Sequence, residues 1–155
     1  MSYYIGIDVG TSSVKASIIN PADAHILTYR AVYGELGNTP AGWWEALQRA
    51  VAQVTAELGP DCGGLGMDAQ VGTYILYHEQ EPASSWPVYG WGGPYGSSQR
   101  EELQRVYGTE YFLRHTGMPL PRVNSFPIAR LRFFAEERTG EWNHCTHVLD
   151  RKSVV

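Results

Sequence analysis

A short apolar segment that ends in an acid and a glycine constrains this chain most strongly. Tyr3–Val9 is rich in β-branched and aromatic residues, which is typical of a buried strand, and its only charged residue is Asp8. Gly10 and three hydroxyl residues follow, and Val14–Ile19 then resembles a second strand. The chain is therefore predicted to begin with two strands joined by a tight turn, with a carboxylate at the end of the first strand.

The next segment continues this antiparallel pattern and then changes period. Residues 20–23 have turn chemistry, and His25–Val32 is predicted to return as a third strand. Apolar residues then recur at spacings of three and four, as on one face of a helix. These residues are Trp44, Leu47, Val51, Val54 and Leu58. By this helical phase Trp44 should lie in the core and Trp43 should be partly exposed.

The ends of this helix have recognisable signals. Thr39 is a suitable N-cap, Pro40 suits the first helical position, and Gly59-Pro60 ends the segment. Four further strands are predicted at Gly63–Asp68, Tyr74–His78, Val88–Trp91 and His147–Leu149, and two further helices at Glu101–Tyr107 and Pro127–Arg138. This order predicts an α/β fold with a mixed, partly antiparallel sheet flanked by helices, in one domain spanning residues 1–155.

Composition excludes several function classes. The net charge of −4 comes without a basic patch, which argues against nucleic acid as a partner. No apolar run approaches the roughly 20 residues that a membrane span needs. Cys62 and Cys145 are far apart and form no C-x-x-C pair, so a reducing cytoplasm is the expected location.

The turn after the first strand has the residue types of a phosphate site. Gly10 allows close approach of the backbone, the amides and hydroxyls of Thr11 and Ser12 can donate to phosphate oxygens, and Asp8 can hold Mg²⁺. Lys15 could add a positive charge or point to solvent. An ordinary tight hairpin with an Asx-type turn at Asp8 is the alternative that these residue types leave open.

The same segment resembles a known family. Ile5–Ile19, IGIDVGTSSVKASII, is similar to the first phosphate motif of the FGGY carbohydrate kinases, which belong to the actin-like, ribonuclease H-like ATPases. Later segments resemble that family in the same order. They are Gly42–Leu47 (GWWEAL), Gly66–Gly72 (GMDAQVG), Thr116–Pro119 (TGMP) and the helix PIARLRFFAEE. The resemblance therefore extends over nearly the whole chain.

The resemblance implies a function and a set of site residues. It implies an N-terminal, substrate-side domain of a kinase that transfers the γ-phosphate of ATP to a hydroxyl of a sugar or polyol, with Mg²⁺. Asp8 would position Mg²⁺ and phosphate. The remaining implied residues are Gly10, Thr11, Ser12 and Lys15 for the nucleotide phosphates, and Asp68, Gln70, Trp91 and Arg100 for the sugar.

The chain departs from the family pattern in two respects. The family usually has a tryptophan, an aspartate and an arginine close together in the sugar pocket, whereas here Trp91 is followed by Gly92-Gly93-Pro94 and Arg100 comes later. The adenosine site and the aspartate that acts as catalytic base belong to a second domain, which is expected to be absent from these residues. We therefore expect the 155 residues alone to be inactive, and their uncovered apolar surface to favour self-association, for instance as a homodimer.

Two other functions compete with the kinase hypothesis. A truncated, non-catalytic module that binds a carbohydrate or a partner is one, and another actin-like ATPase is the other; the double tryptophan and the Gln70 segment argue against the latter. His144-Cys145-Thr146-His147 offers three metal ligands, but zinc needs a fourth. These residues are therefore interpreted as surface or strand-edge positions, and His25, His78 and His115 as structural or exposed. The aromatic segment 86–95 could stack on a sugar ring or cover the core.

Overall fold

The computed structural model describes residues 3–22, 25–56 and 62–155, with the backbone alone for His25. The chain divides into two compact units. The first contains the residues up to Val71 together with Arg151–Val155, and the second is Gly72–Asp150. In chain order the elements are β1 (Tyr3–Val9), β2 (Ser13–Asn20), β3 (His25–Val32), α1 (Pro40–Ala56), β4 (Cys62–Ala69), β5 (Tyr74–Tyr77), β6 (Val88–Tyr89), α2 (Ser97–Val106), α3 (Thr109–Thr116), α4 (Pro127–Glu137), α5 (Thr139–His144), β7 (His147–Asp150) and α6 (Arg151–Val154).

The first unit is built on a four-stranded mixed sheet. Its strand order is β3-β2-β1-β4, with antiparallel pairing except between β1 and β4, which are parallel. A parallel pair needs a crossover, and α1 lies in the connection between β3 and β4. The predicted α/β class with a mixed, partly antiparallel sheet is confirmed.

The two faces of this sheet differ sharply. Side chains of a strand alternate between faces, and the odd-numbered residues of β1 are all buried. The buried set on this face is Tyr3, Ile5, Ile7 and Val9 of β1 with Val14, Ala16 and Ile18 of β2. α1 packs against β2 and β3. Burial of each larger side chain stabilises the fold by about 1.5–3 kcal/mol, so this face holds the unit together.

The phase of α1 corrects one prediction. Trp43 is completely buried and Trp44 is 49% exposed, the reverse of the expectation. The buried residues of the helix are Pro40, Gly42, Trp43, Ala46, Leu47, Ala50 and Val54. Trp43, Ala46 and Ala50 lie on the buried face of the helix. The prediction used only the large apolar residues and so left out the two alanines. The predicted N-cap is confirmed, because the amide of Gly42 donates to Oγ1 of Thr39 at 3.2 Å. The predicted end at Gly59-Pro60 lies outside the described residues.

The second unit combines a small sheet with four helices. Its strands are antiparallel in the order β6-β5-β7. One core cluster joins the sheet to α4 through Leu76, Tyr89, Phe133 and Phe134. Another joins α2, α3 and α4 through Leu103, Phe112 and Ala129.

Three short helices were not predicted, and one began earlier than expected. α3, α5 and α6 contain 8, 6 and 4 residues, too few for a clear apolar period. α2 begins at Ser97, four residues before the predicted start at Glu101. Over the described part of the chain, none of the helices is long and apolar enough to cross a bilayer.

Candidate functional site

Three charged side chains form a row across the sheet of the first unit. The pairing register places Asp8 of β1 opposite Lys15 of β2 on one side and opposite Asp68 of β4 on the other. Nζ of Lys15 lies 3.3 Å from Oδ2 of Asp8, and both side chains are about half exposed. The row therefore contains two carboxylates and one ammonium group near the carboxyl ends of the parallel strands, where open α/β sheets bind their ligands.

The floor of this open face is made of glycine. Gly6 and Gly66 are opposite each other two residues before the aspartates, and a Cβ atom added to either would meet no atom within 4 Å. A groove of about 520 Å³ lies over this face, and Ser17, Ile19 and Met67 complete its lining. The missing side chains leave space for a ligand beside Asp8 and Asp68.

The turn between β1 and β2 is held by its own backbone. The amide of Gly10 donates to the carbonyl oxygen of Ser13 at 3.0 Å, while Thr11 and Ser12 are exposed. The carboxylate of Asp8 accepts a hydrogen bond from Nζ of Lys15. The hydroxyl groups of Thr11 and Ser12 are thus on the accessible side of the turn, next in sequence to the charged row.

A buried arginine that the sequence did not single out supports this turn from behind. Nη1 of Arg151 and the hydroxyl of Tyr33 both donate to the carbonyl oxygen of Gly10. The carbonyl and the N–H of a trans peptide point in opposite directions. Because the Gly10 carbonyl is held toward Arg151, the N–H of Thr11 points the other way. There it can donate a hydrogen bond to an anion.

Arg151 is itself fixed by a small network. Its side chain is fully buried, Nη2 donates to Oδ1 of Asn38 at 3.0 Å, and the guanidinium lies 4.4 Å from the ring centroid of Trp43. Nε1 of Trp43 also donates to Asn38, at 2.6 Å. Burial lowers the pKa of Arg151 and raises that of Tyr33, although Arg151 partly offsets the rise at Tyr33. A guanidinium remains protonated under such a shift, so a positive charge stays beneath the turn.

The predicted sugar-site residues divide between the two units. Asp68 is exposed on the open face, and its Oδ1 accepts the amide of Ala69 at 2.8 Å. Gln70 follows the end of β4, and its side-chain amide donates to the carbonyl of Val71. Trp91 and Arg100 belong to the second unit. The first unit therefore brings together Asp8, Gly10, Thr11, Ser12, Lys15, Asp68 and Gln70.

Within the second unit, Trp91 and Arg100 have different surroundings. Trp91 is half exposed, whereas Arg100 is partly buried and its Nη2 contacts Oε1 of Glu101 at 2.9 Å. Of the two roles considered from sequence for the aromatic segment 86–95, the structure shows that of covering the core. Tyr89 is buried in the core, while Trp91 has a large exposed area.

The donor set of the row fits a hard divalent cation and a phosphate. Mg²⁺ prefers oxygen ligands and usually binds through one or two carboxylates together with substrate phosphates. Asp8 and Asp68 supply carboxylates, and Thr11, Ser12 and Lys15 supply donors for anionic oxygens. The arrangement can bind a metal–phosphate group at the end of β1.

Comparison with known proteins agrees with the resemblance found in the motifs. No protein-family model matches the chain. Xylulose kinase from Staphylococcus xylosus is 24% identical over 138 residues, which are 79% of this chain and 28% of that protein. Gluconate kinase from Lactobacillus acidophilus superposes with a TM-score of 0.81 and 17% identity over 99% of this chain and 32% of its own. Xylulose kinase from the same organism superposes with a TM-score of 0.80 and 17% identity, over 98% of this chain and 32% of that protein.

These proteins confirm the predicted resemblance to the FGGY carbohydrate kinases. The chain has the fold of the corresponding part of these sugar kinases. It spans about a third of their length.

Proposed function

We propose that this chain is the N-terminal, substrate-side part of an ATP-dependent sugar kinase of the FGGY family. The row of Asp8, Lys15 and Asp68 beside the turn at Gly10 is the observation that carries the proposal. It supplies metal-binding oxygens and anion-binding donors at one end of an open groove. The names of the similar proteins, which are sugar kinases, support the same reaction class.

The residues of the first unit have distinct roles in this proposal. Asp8 would hold Mg²⁺, which would neutralise charge on the phosphoryl oxygens. The Thr11 amide, aimed outward by Arg151 and Tyr33, donates to a phosphate oxygen together with the hydroxyls of Thr11 and Ser12. Lys15 adds positive charge beside the same oxygens. Catalysis of this kind consists mainly of positioning and electrostatic stabilisation.

The sugar is assigned to a second set of residues. We propose that Asp68 and Gln70 of the first unit bind hydroxyl groups of a sugar or polyol. Trp91 and Arg100 of the second unit are each proposed as sugar-binding residues. The general base that takes the proton from the attacking hydroxyl, and the adenosine site, are assigned to residues outside this sequence. These 155 residues alone should therefore bind phosphate without transferring it. The proposed location is the cytoplasm.

Binding of the charged end of ATP tests this proposal directly. Calorimetric titration of the chain with tripolyphosphate in the presence of Mg²⁺ should give saturable binding. Asp8→Asn should weaken this binding at least about tenfold, or 1.4 kcal/mol, because it removes a charged metal ligand. Glu45→Gln is the matched control. Glu45 is an exposed carboxylate on α1 that lies beside Arg49, and its loss should leave the affinity unchanged.

Two results would contradict the proposal. One is the absence of tripolyphosphate binding, and the other is equal binding by the wild type and Asp8→Asn. A panel of sugars and polyols with ATP should yield no phosphorylated product from the 155 residues. Product formation would show that the catalytic base lies within them.

A further inference from the structure

Three metal-ligating side chains from distant parts of the sequence meet in the second unit. His78 follows β5, Glu81 lies in the turn after it, and His144 ends α5. One ligand atom from each of the three lies within 4.8 Å of the other two. Nε2 of His144 is 2.8 Å from Oε1 of Glu81. None of these residues belongs to the proposed phosphate or sugar site.

The backbone around these side chains is well fixed. β5 pairs with β7, and the amide of Thr146 donates to the carbonyl of Tyr77 at 2.8 Å. The residues that precede Thr146 and follow Tyr77 are therefore held close together. The amide of Cys145 donates to the carbonyl of Glu141 at 2.9 Å and caps α5. The pairing of the two strands thus brings His78 and His144 together although 66 residues separate them in the chain.

The carboxylate of Glu81 is oriented by its neighbours. Oγ of Ser85 donates to Oε2 of Glu81 at 3.3 Å, and Nε1 of Trp86 donates to the Glu81 carbonyl at 3.1 Å. The amide of Glu81 donates in turn to the carbonyl of His78 at 3.2 Å. Such outer contacts are what hold metal ligands in a binding orientation.

We propose that His78, Glu81 and His144 bind Zn²⁺ or a similar divalent metal ion that prefers imidazole ligands. Two imidazoles and one carboxylate are a common ligand set for Zn²⁺, with water in the fourth position. Imidazole suits Zn²⁺, Ni²⁺ and Cu²⁺, whereas Mg²⁺ and Ca²⁺ prefer oxygen ligands. The site is thus chemically distinct from the Mg²⁺ site proposed at Asp8.

Metal binding requires a small rearrangement of the side chains. Tetrahedral Zn²⁺ with bonds of about 2.1 Å places its ligand atoms about 3.4 Å apart. The His144 and Glu81 atoms, now 2.8 Å apart, therefore have to separate slightly, whereas ligand atoms as far as 4.8 Å apart have to approach. The rings of His78 and His144 are stacked, with centroids 4.4 Å apart and planes 6° from parallel. One ring has to rotate, because a metal cannot lie in both parallel planes. The His144 side chain is 59% exposed and has room to turn.

A bound metal would connect a loop of the second unit to the end of a helix. It would tie the connection between β5 and β6 to the C-terminal end of α5. Binding to the folded state alone raises stability in proportion to the logarithm of metal concentration above Kd. The proposed metal would therefore raise the melting temperature of the chain without taking part in phosphate binding.

Titration of the full chain with Zn²⁺ tests the proposal. Calorimetry should show an equivalent of Zn²⁺ that is lost, or bound at least about tenfold more weakly, after His78→Ala, Glu81→Gln or His144→Ala. His115→Ala is the matched control, since His115 stacks on Tyr111 on the exposed side of α3. His147→Ala and Cys145→Ser test whether the other potential ligands of the segment His144-Cys145-Thr146-His147 bind the metal. All three of these variants should retain the wild-type affinity.

Co²⁺ provides a spectroscopic readout of the ligands. Nitrogen and oxygen ligation should give tetrahedral d–d bands without the sulfur-to-metal charge-transfer band that a bound Cys145 would produce. Absence of Zn²⁺ binding would overturn the proposal. Unchanged affinity in both His78→Ala and His144→Ala, or loss of binding in Cys145→Ser or His147→Ala, would also overturn it. Circular dichroism checks that each variant is folded.

Discussion

The two faces of the four-stranded sheet come from the same strands but serve opposite purposes. On one face Ile5, Ile7 and Val9 are buried. On the other face Gly6 and Asp8 of the same strand border an open groove. The strand alternation of β1 therefore separates a stabilising surface from a surface that is left open for a ligand. The comparison teaches that residues next to each other in the motif IGIDVG have different effects when they are changed.

The largest difference between a buried and an exposed side chain should appear at the two adjacent tryptophans of α1. Trp43→Ala is expected to lower the free energy of unfolding by about 3–5 kcal/mol, because it leaves a cavity in the core. It also removes the ring beneath Arg151. Trp44→Ala should cost less than about 1 kcal/mol, because that side chain is half exposed. Urea denaturation measures both, and equal losses would contradict the observed helix phase.

A second comparison sets a buried arginine against an exposed one. Arg151→Met should lower the free energy of unfolding by about 2–3 kcal/mol, since charged hydrogen bonds to Gly10 and Asn38 are lost. Arg49 also donates to a carbonyl oxygen, that of Val32, at 2.6 Å, but its side chain is about half exposed. Arg49→Met should cost less than about 1 kcal/mol.

Hydrogen exchange extends this comparison to the turn itself. Arg151→Met should speed exchange at amides of the turn, because the carbonyl that the arginine holds becomes free to reorient. Arg49→Met should leave these exchange rates unchanged. Faster exchange in the Arg49 variant alone would show that Arg151 does not support the turn.

Glycine substitutions compare tight packing with open space. A Cβ atom at Gly42 of α1 would lie 2.1 Å from the carbonyl oxygen of Gly37, so Gly42→Ala should cost about 1–3 kcal/mol. A Cβ atom at Gly66 would meet no atom within 4 Å. Gly66→Ala should leave stability unchanged or raise it by about 0.5 kcal/mol. Thermal denaturation of both variants checks this, and a large loss for Gly66→Ala would show that the open face is not open.

Some features of the fold were predictable because they depend on local sequence. The bounds of β1 and the hairpins that follow it agree with the prediction, since alternation, turn chemistry and the N-cap at Thr39 act over a few residues. The placement of Asp8 beside Asp68 depends on the parallel pairing of two strands that are 60 residues apart. The resemblance of the motifs suggested both residues, but their spacing along the chain alone did not indicate that they are neighbours.

The features that were missed depend on tertiary contacts. Arginine is usually exposed, and the packing of α6 in the first unit is what buries Arg151. The meeting of His78 with His144 depends in the same way on the pairing of β5 with β7. His78 was interpreted as structural or exposed; it is partly buried and stacks on His144.

The charged row should matter little for stability and much for binding. The Asp8–Lys15 pair is about half exposed, so Asp8→Asn should change the free energy of unfolding by less than about 1 kcal/mol. A larger loss in urea denaturation would place Asp8 among the residues that hold the fold together.

The location of the bound phosphate tests the central claim most directly. In a ¹H–¹⁵N NMR titration of the chain with Mg²⁺ and tripolyphosphate, the amides of Gly10, Thr11 and Ser12 should shift in a saturable manner. These shifts should disappear in Asp8→Asn and persist in Glu45→Gln. Shifts confined to other parts of the chain, or unchanged shifts in Asp8→Asn, would contradict the assignment of the open face as a metal–phosphate site.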